Sequence, residues 1–232
     1  MKRLTAIILI ATLLFTVIVF SACNCSSSDS TVSIQSTTAP ALRDEYGVGY
    51  KLNGDGTLAV SSYDGKDKDV SIPIDYDNKM VKNIANSAFK GLDIESVTMP
   101  DGMKEIDGYA FALCQNLNIV NIAEGTTKIG DNAFFATFAL TEIELPKTLE
   151  TIGINAFNAS SIEEIIIPEN VKKIDSFAFA DCKSLTEIKV LSKKTKVADT
   201  AFKTGAKTKV IAPKGSSAIK AAKKSKLSYV EK

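Results

Sequence analysis

Residues 167–188 read IPENVKKIDSFAFADCKSLTEI and contain every element of a pattern that recurs along the chain. In this copy an aliphatic residue, Ile174, precedes the dipeptide Ala178-Phe179 by four positions, and a strand-like run follows. Successive alanines of the recurring dipeptide are 22, 23, 23, 22 and 23 residues apart, a period that indicates a solenoid. The six dipeptides are Ala88-Phe89, Ala110-Phe111, Ala133-Phe134, Ala156-Phe157, Ala178-Phe179 and Ala201-Phe202.

One repeat shows how the pattern predicts structure. In LTEIELP, residues 140–146, Ile143 and Leu145 share one face of an extended chain, Glu142 and Glu144 take the other, and Pro146 ends the strand. The following segment, residues 147–160, has apolar spacing closer to helical, which predicts a turn and a short helical or 3₁₀ return. One unit cannot cover its own apolar face, so stacked units should form a parallel sheet, with the six phenylalanines as a continuous buried spine.

The chain resembles the BspA-like class of leucine-rich repeats. The motif is nearly spelled out by Ile167-Pro168, Val171 and Ile174, then by Ala178-Phe179, Cys182, Leu185 and Ile188. The resemblance implies an α+β repeat fold: a leucine-rich-repeat solenoid with a parallel sheet on one face, an N-terminal β-hairpin cap and a C-terminal αβ cap. It also implies a surface lipoprotein or another extracellular protein, since members of this class are associated with adhesion and host-protein binding.

The patterns also predict how the two ends of the repeat region are built and how the chain divides into five segments. Asn53-Gly54-Asp55-Gly56-Thr57 resembles a calcium loop, but the flanking alternation favours a hairpin turn inside the N-terminal cap. After the sixth repeat we expect a strand near Lys209–Ala212, a short helix near residues 216–224 and a last strand at residues 227–230. The segments are a signal peptide (1–22), a lipidated cysteine with a Ser/Thr-rich tether (23–41), an N-terminal β cap (42–78), six repeats (79–212) and a basic C-terminal cap (213–232).

The first residues predict export. Lys2 and Arg3 precede an uncharged apolar run that ends at Ser21-Ala22-Cys23, where the chain turns abruptly polar. The small residues before Cys23 favour a lipoprotein signal, in which Cys23 is acylated. Cleavage after Ala22 without a lipid and an uncleaved membrane helix are the alternatives, because the run is near the lower limit of about 17–25 residues for a span. All three place the rest of the chain outside the cytoplasm.

The composition excludes several kinds of site. The sequence has no His, which removes Ser-His, Cys-His and His-metal constellations, and no Trp, which removes the best sugar-stacking side chain. Cys114 and Cys182 occupy one repeat position that elsewhere holds Leu92 or Thr137, so both are predicted to be buried packing residues. At about 4.8 Å per repeat they lie ~14 Å apart, too far for a disulfide. We expect no catalytic residue, metal or cofactor.

The outward positions of the predicted strands form two columns, which are the candidate binding face. Glutamates on adjacent repeats would stand about 5 Å apart, which matches a retaining glycosidase but is generic to any parallel sheet. A binding stripe for a basic partner or cation and a plain solvated face both remain open. The first column is Ser96, Ile119, Glu142, Glu164 and Glu187, and the second is Thr98, Asn121, Glu144, Ile166 and Lys189.

Charge is unevenly distributed behind a net charge of +1. Residues 93–169 hold 13 acidic and 3 basic residues (net −10), and residues 189–232 hold 13 basic and 2 acidic ones (net +11). The basic end is either a solubilising cap or a patch for anionic surfaces. We expect a monomeric, membrane-anchored module on the bacterial cell surface that binds extracellular or host proteins or surface polymers, touches the membrane only through its lipid, and binds no nucleic acid. The alternative is a solute-binding or hydrolytic surface lipoprotein.

Overall fold

The computed structural model describes residues 42–205 and 207–232. Within them the chain winds as a solenoid whose successive turns add short strands to parallel sheets. This confirms the predicted leucine-rich-repeat solenoid with β strands at its start and an αβ unit at its end. The predicted signal peptide (1–22), the lipidation site Cys23 and the tether (23–41) lie outside the described residues.

The described residues hold short strands and one α-helix, α1 (Ser217–Lys224). The strands of the first part are β1 (Leu42–Arg43), β2 (Val48–Leu52), β3 (Leu58–Tyr63), β4 (Asp69–Ser71), β5 (Asp75–Tyr76), β6 (Lys79–Ile84), β7 (Ser96–Thr98), β8 (Glu105–Ile106) and β9 (Ile119–Asn121). Those of the second part are β10 (Lys128–Ile129), β11 (Thr151–Ile152), β12 (Glu164–Ile167), β13 (Lys173–Ile174), β14 (Glu187–Val190), β15 (Lys196–Val197), β16 (Lys209–Ala212) and β17 (Ser228–Glu231).

The most extensive sheet, here called the long sheet, runs along the side that carries the aliphatic residue before each Ala-Phe dipeptide. Its order is β1-β2-β3-β6-β8-β10-β11-β13-β15, and β5 pairs with β6. From β3 onward the neighbours along this order are parallel, so Ile106, Ile129, Ile152 and Ile174 align in register and are buried. The antiparallel β2–β3 hairpin turns at residues 53–57, where Gly56 has a φ of 84°, as predicted.

The strand-like runs after each dipeptide do not form one sheet, in contrast to the expectation. Two of them, β7 and β9, join β4 in a three-stranded sheet, and β12, β14 and β16 join β17 in a four-stranded sheet. Residues 140–146, the run with the clearest alternation, lie between these sheets and are not a strand. Burial still alternates there, since Leu140 and Leu145 are buried and Glu142 and Glu144 are exposed, but the ladder is interrupted.

The return segment of each repeat is built from turns and a two-residue strand, so the expectation of a helical or 3₁₀ piece was wrong. The cause is backbone conformation: in residues 151–160, Asn155 and Ala159 have φ values of 53° and 59°. Left-handed residues end a right-handed helix. Asn132 and Ala136 repeat the pair one turn earlier, with φ values of 57° and 56°.

The six phenylalanines stack through the core. Ring centroids of Phe89, Phe111, Phe134, Phe157 and Phe179 follow one another at 5.0–5.3 Å with nearly parallel planes, and the tilted Phe202 ring lies 6.2 Å from Phe179. All six are fully buried. The main chain fixes this spacing, because each N–H from Phe89 to Phe179 donates to the alanine carbonyl of the next dipeptide at 2.8–2.9 Å. Burying one such ring is worth about 1.5–3 kcal/mol.

The C-terminal strand, helix and strand fall close to the predicted positions. Ser216 caps α1 by accepting a hydrogen bond from the Ile219 N–H, and the helix buries Ile219 with three alanines. Ser217 closes the end of the long sheet, since its Oγ accepts from the Val197 N–H at 3.0 Å and donates to the Thr195 carbonyl at 2.5 Å. No helix within residues 42–205 and 207–232 is long and apolar enough to cross a membrane.

Candidate binding face

The two predicted columns lie on the side formed by the three-stranded and four-stranded sheets, here called the outward face. All ten residues are exposed or half-buried, whereas the residue between them in a strand is buried at Val97, Val120, Ile165 and Ile188; Ile143, at the interruption, is half-buried. Ser96 lies opposite Ile119, and Thr98 lies opposite Asn121. The interruption at residues 140–146 separates these positions from the later ones.

The second part of the outward face continues in register beyond the interruption. Glu164 lies opposite Glu187, and Ile166 lies opposite Lys189. Glu142 and Glu144 are exposed at the interruption, so the sheet brings together Glu164 and Glu187 but does not pair Glu142 with either. The expected continuous stripe of three glutamates is therefore two paired residues and a third on an unpaired segment.

The start of the outward face satisfies its own polar groups. Lys68 Nζ lies 2.8 Å from Glu95 and 3.3 Å from Asp93. These contacts raise the pKa of Lys68, because both carboxylates favour its charged form. Asn121 donates to Thr98 Oγ1 at 3.2 Å across neighbouring strands. This half of the face therefore has side chains that are engaged with one another.

The glutamates of the later part are not engaged in this way. Among the described residues, Glu142, Glu144, Glu164 and Glu187 have no hydrogen-bond or ion-pair partner. Like charges directly opposite each other, as at Glu164 and Glu187, are destabilising. Three lysines on the other side of the solenoid do have partners: Lys128 with Glu105, Lys172 with Glu150 and Lys173 with Asp175.

A cleft of about 670 Å³ marks the interruption. Its walls come from β9, from residues 142–147 and from β12, and they combine carboxylates with aliphatic side chains. Ile119 and Ile166 are 53% and 55% exposed here, on the two strands that border the interruption. Residues 142–145 also lack any main-chain hydrogen bond within the described part of the chain. The cleft therefore offers apolar contact and negative charge together.

Sequence reasoning missed several residues of this surface. Lys147 and Leu191 line the cleft, and Lys209 and Ile211 extend the columns because they lie opposite Glu187 and Lys189. The repeat period predicts Lys209, which comes 22 positions after Glu187. Leu191 stands where Pro146 and Pro168 end the two preceding runs, and a leucine there adds apolar surface to the face.

The two cysteines are buried packing residues, as predicted. Cys114 Sγ donates to the Phe89 carbonyl at 2.9 Å, and Cys182 Sγ donates to the Phe157 carbonyl at 3.0 Å. Burial raises the pKa of each thiol to about 11. Thr137 fills the same repeat position and donates to the Phe134 carbonyl at 3.0 Å. In the described residues no group of three or more Cys, Asp or Glu could hold a metal ion.

Solved structures show the same architecture. A leucine-rich repeat protein from Bacteroides ovatus matches with a TM-score of 0.62 at 30% identity, over 71% of this chain and 45% of that one. TpLRR, a leucine-rich repeat protein of T. pallidum, matches with a TM-score of 0.62 at 24% identity, over 73% of this chain and 84% of that one. The pneumococcal vaccine antigen PcpA gives 0.63 at 19% identity, over 82% and 49%.

The coverage and sequence identity of these matches limit what they show about this chain. The chain spans about half the length of the B. ovatus protein and of PcpA. At 24% and 19% identity, TpLRR and PcpA show a common fold only. No curated protein sequence matches the chain significantly. The family model for the BspA type leucine rich repeat region, however, matches six copies over residues 82–209, which is more than half of the chain. The chain therefore belongs to the family of proteins with BspA-type leucine-rich repeats.

Proposed function

We propose that this chain is a non-catalytic binding module, displayed outside the cytoplasm, that attaches to extracellular or host proteins or to surface polymers through the outward face. The observation that carries the proposal is the set of exposed glutamates that have no ion-pair or hydrogen-bond partner among the described residues, beside exposed isoleucines on that face. A solenoid presents an extended surface of this kind to macromolecules.

Two features of this face lower the stability of the free protein, and a bound partner would relieve both. Ile119 and Ile166 expose large aliphatic side chains that stability alone would favour burying. Glu164 and Glu187 place like charges opposite each other, which a solubilising lysine at either position would avoid. A bound partner that covers the isoleucines and offsets the carboxylates removes both costs.

The proposed anchor is a lipid on Cys23, which suits a module that must face outward from a membrane. A single acyl chain binds membranes only marginally, so stable anchoring requires more than one chain. Changing Cys23 to Ala should release the protein from membranes or block its processing. Unchanged membrane association and unchanged labelling by a fatty-acid analogue would reject the lipid, and Cys25 is the next residue to replace.

The binding role is tested by capturing partners from extracellular extracts with the full chain in non-ionic detergent. Replacing Glu142, Glu164 and Glu187 together with Gln should weaken capture and flatten its dependence on salt, because screened attraction is lost. The matched control replaces Lys220, Lys223 and Lys224 with Gln in the basic cap. Loss of capture with the lysine variant, and none with the glutamate variant, would move the binding surface to the C-terminal cap.

A further inference from the structure

The partner chemistry of the outward face is set by the cleft at its interruption. We infer that this cleft accepts a cationic segment of a partner protein, whose lysine or arginine side chains meet Glu142, Glu144 and Glu164 while their methylene stems cover Ile119 and Ile166. The inference rests on the proposed function, because it names the partner of the same face.

The residues that line the cleft indicate that its occupant is positively charged. Glu142, Glu144 and Glu164 all line it, and none has an ion-pair or hydrogen-bond partner among the described residues. The cleft has one basic wall residue, Lys147. Its main-chain N–H donates to Glu124 Oε1 at 3.1 Å and its carbonyl accepts from Asn170, so the backbone of Lys147 is fixed independently of its side chain. The cleft therefore has a local excess of negative charge and favours a cationic occupant.

Apolar walls complete the match. Ile119, Ile166 and Leu191 are exposed large hydrophobic residues of the described chain, and all three line the cleft. The methylene stems of lysine and arginine cover apolar surface while their charged groups reach carboxylates. A volume of about 670 Å³ lies within the usual range of about 300–1,000 Å³ for binding sites.

A second copy of this chain is the competing occupant, since residues 189–232 are strongly basic. Several lysines of that region already have partners within their own chain. Lys224 pairs with Asp199, and Lys223 lies over the Tyr229 ring at 5.0 Å and 3.9 Å from Glu231. These contacts favour a separate cationic peptide as the occupant.

The test measures fluorescence anisotropy of a short labelled peptide of alternating lysine and threonine, with the full chain in non-ionic detergent. Changing Glu142, Glu144 and Glu164 to Gln should weaken binding about tenfold. Lys147→Gln should tighten it about twofold by removing a repulsive charge. The control variant changes Glu45, Asp75 and Asp101, three exposed acidic residues outside the cleft, to amides and should leave the affinity unchanged.

A second peptide and a measurement of self-association distinguish a cationic partner from a second copy of this chain. The same peptide with alanine in place of each lysine keeps its main chain but loses its charge, and should bind at least about fivefold more weakly. Equal binding of both peptides, or equal losses in the cleft and control variants, overturns the inference. So does self-association of the wild type that the cleft variant abolishes while the peptide fails to bind, because the occupant is then a second copy. If the peptide fails but captured partners still depend on Glu142, Glu164 and Glu187, the proposed function stands and this inference falls.

Discussion

The two sheet-bearing sides of the solenoid differ in how they treat charge and main-chain pairing. On the long sheet, the strands from β3 to β15 pair without a break, and Lys128 and Glu105 form an ion pair across neighbouring strands at 3.0 Å. On the outward face, the sheet breaks at residues 140–146, and Glu142, Glu144 and Glu164 lie at the break with no ion-pair or hydrogen-bond partner in the part of the chain that the structure describes. Both sides are built from the same repeats.

Each repeat therefore contributes one segment that stabilises the fold and another that is available for binding. The long sheet pairs its main chain from β3 to β15 and forms ion pairs such as that of Lys128 with Glu105. The second part of the outward face exposes Ile166 and carboxylates that have no ion-pair partner among the described residues, and such groups gain when a partner covers them. A repeat protein can thus keep one side for stability and vary the other, because each repeat contributes separately to both.

The largest expected effect comes from the ring stack that supports both sides. Phe134→Ala should lower the free energy of unfolding by about 3–5 kcal/mol, because it leaves a cavity between two stacked rings. Phe202→Ala should cost less, since Phe202 has one ring neighbour in the stack, tilted at 6.2 Å. Urea denaturation measures both. Equal losses at the two positions would show that the stack does not act as a continuous spine.

A smaller effect should distinguish the packing of the two sides. A methyl group on Gly153, beside the long sheet, would lie 2.7 Å from the carbonyl carbon of Gly130. Gly153→Ala should therefore destabilise the protein by about 1–3 kcal/mol through overpacking. Glu144→Ala on the outward face should change stability by less than about 0.5 kcal/mol. Thermal unfolding of the two variants would reject the contrast if the order of their losses were reversed.

The smallest expected effect is a pair of opposite changes in the free energy of unfolding. Lys128→Gln breaks an ion pair on the long sheet and should lower stability by about 0.2–1 kcal/mol. Glu164→Gln relieves repulsion with Glu187 on the outward face and should raise stability by up to about 0.5 kcal/mol. Both changes should shrink in concentrated salt, which screens surface charges. Loss of stability in both variants would mean that Glu164 has a favourable contact in the folded protein.

Much of the fold could be predicted from the sequence because its strongest signals are periodic. The Ala-Phe dipeptides predicted the solenoid, and the change of pattern after Phe202 predicted the final strand, helix and strand. The long sheet was not predicted as a sheet, since strands of two residues, such as Thr151–Ile152, are too short to show alternation. The turn conformation was also hidden, because Ala136 and Ala159 are residue types that seldom adopt positive φ.

The candidate site was predicted only in part. Strand alternation correctly put Glu142, Glu144, Glu164 and Ile166 on the exposed surface. It also predicted a strand at residues 140–146, where the local pattern is ideal, and that prediction was wrong. Strand formation depends on hydrogen bonds to a neighbouring strand, and a single run of sequence does not contain that information. The cleft is a consequence of this missing pairing, so no local motif announces it.

Amide hydrogen exchange of the full chain, with and without a captured partner, tests the central claim most directly. In the free protein, amides of residues 142–145 should exchange faster than those of β10, β11 and β13, because the latter lie inside the long sheet. With the partner bound, new protection should appear at residues 118–121, 142–145 and 164–167, and the long sheet should be unchanged. Protection confined to the long sheet or to residues 213–232 would contradict the assignment of the outward face as the binding surface.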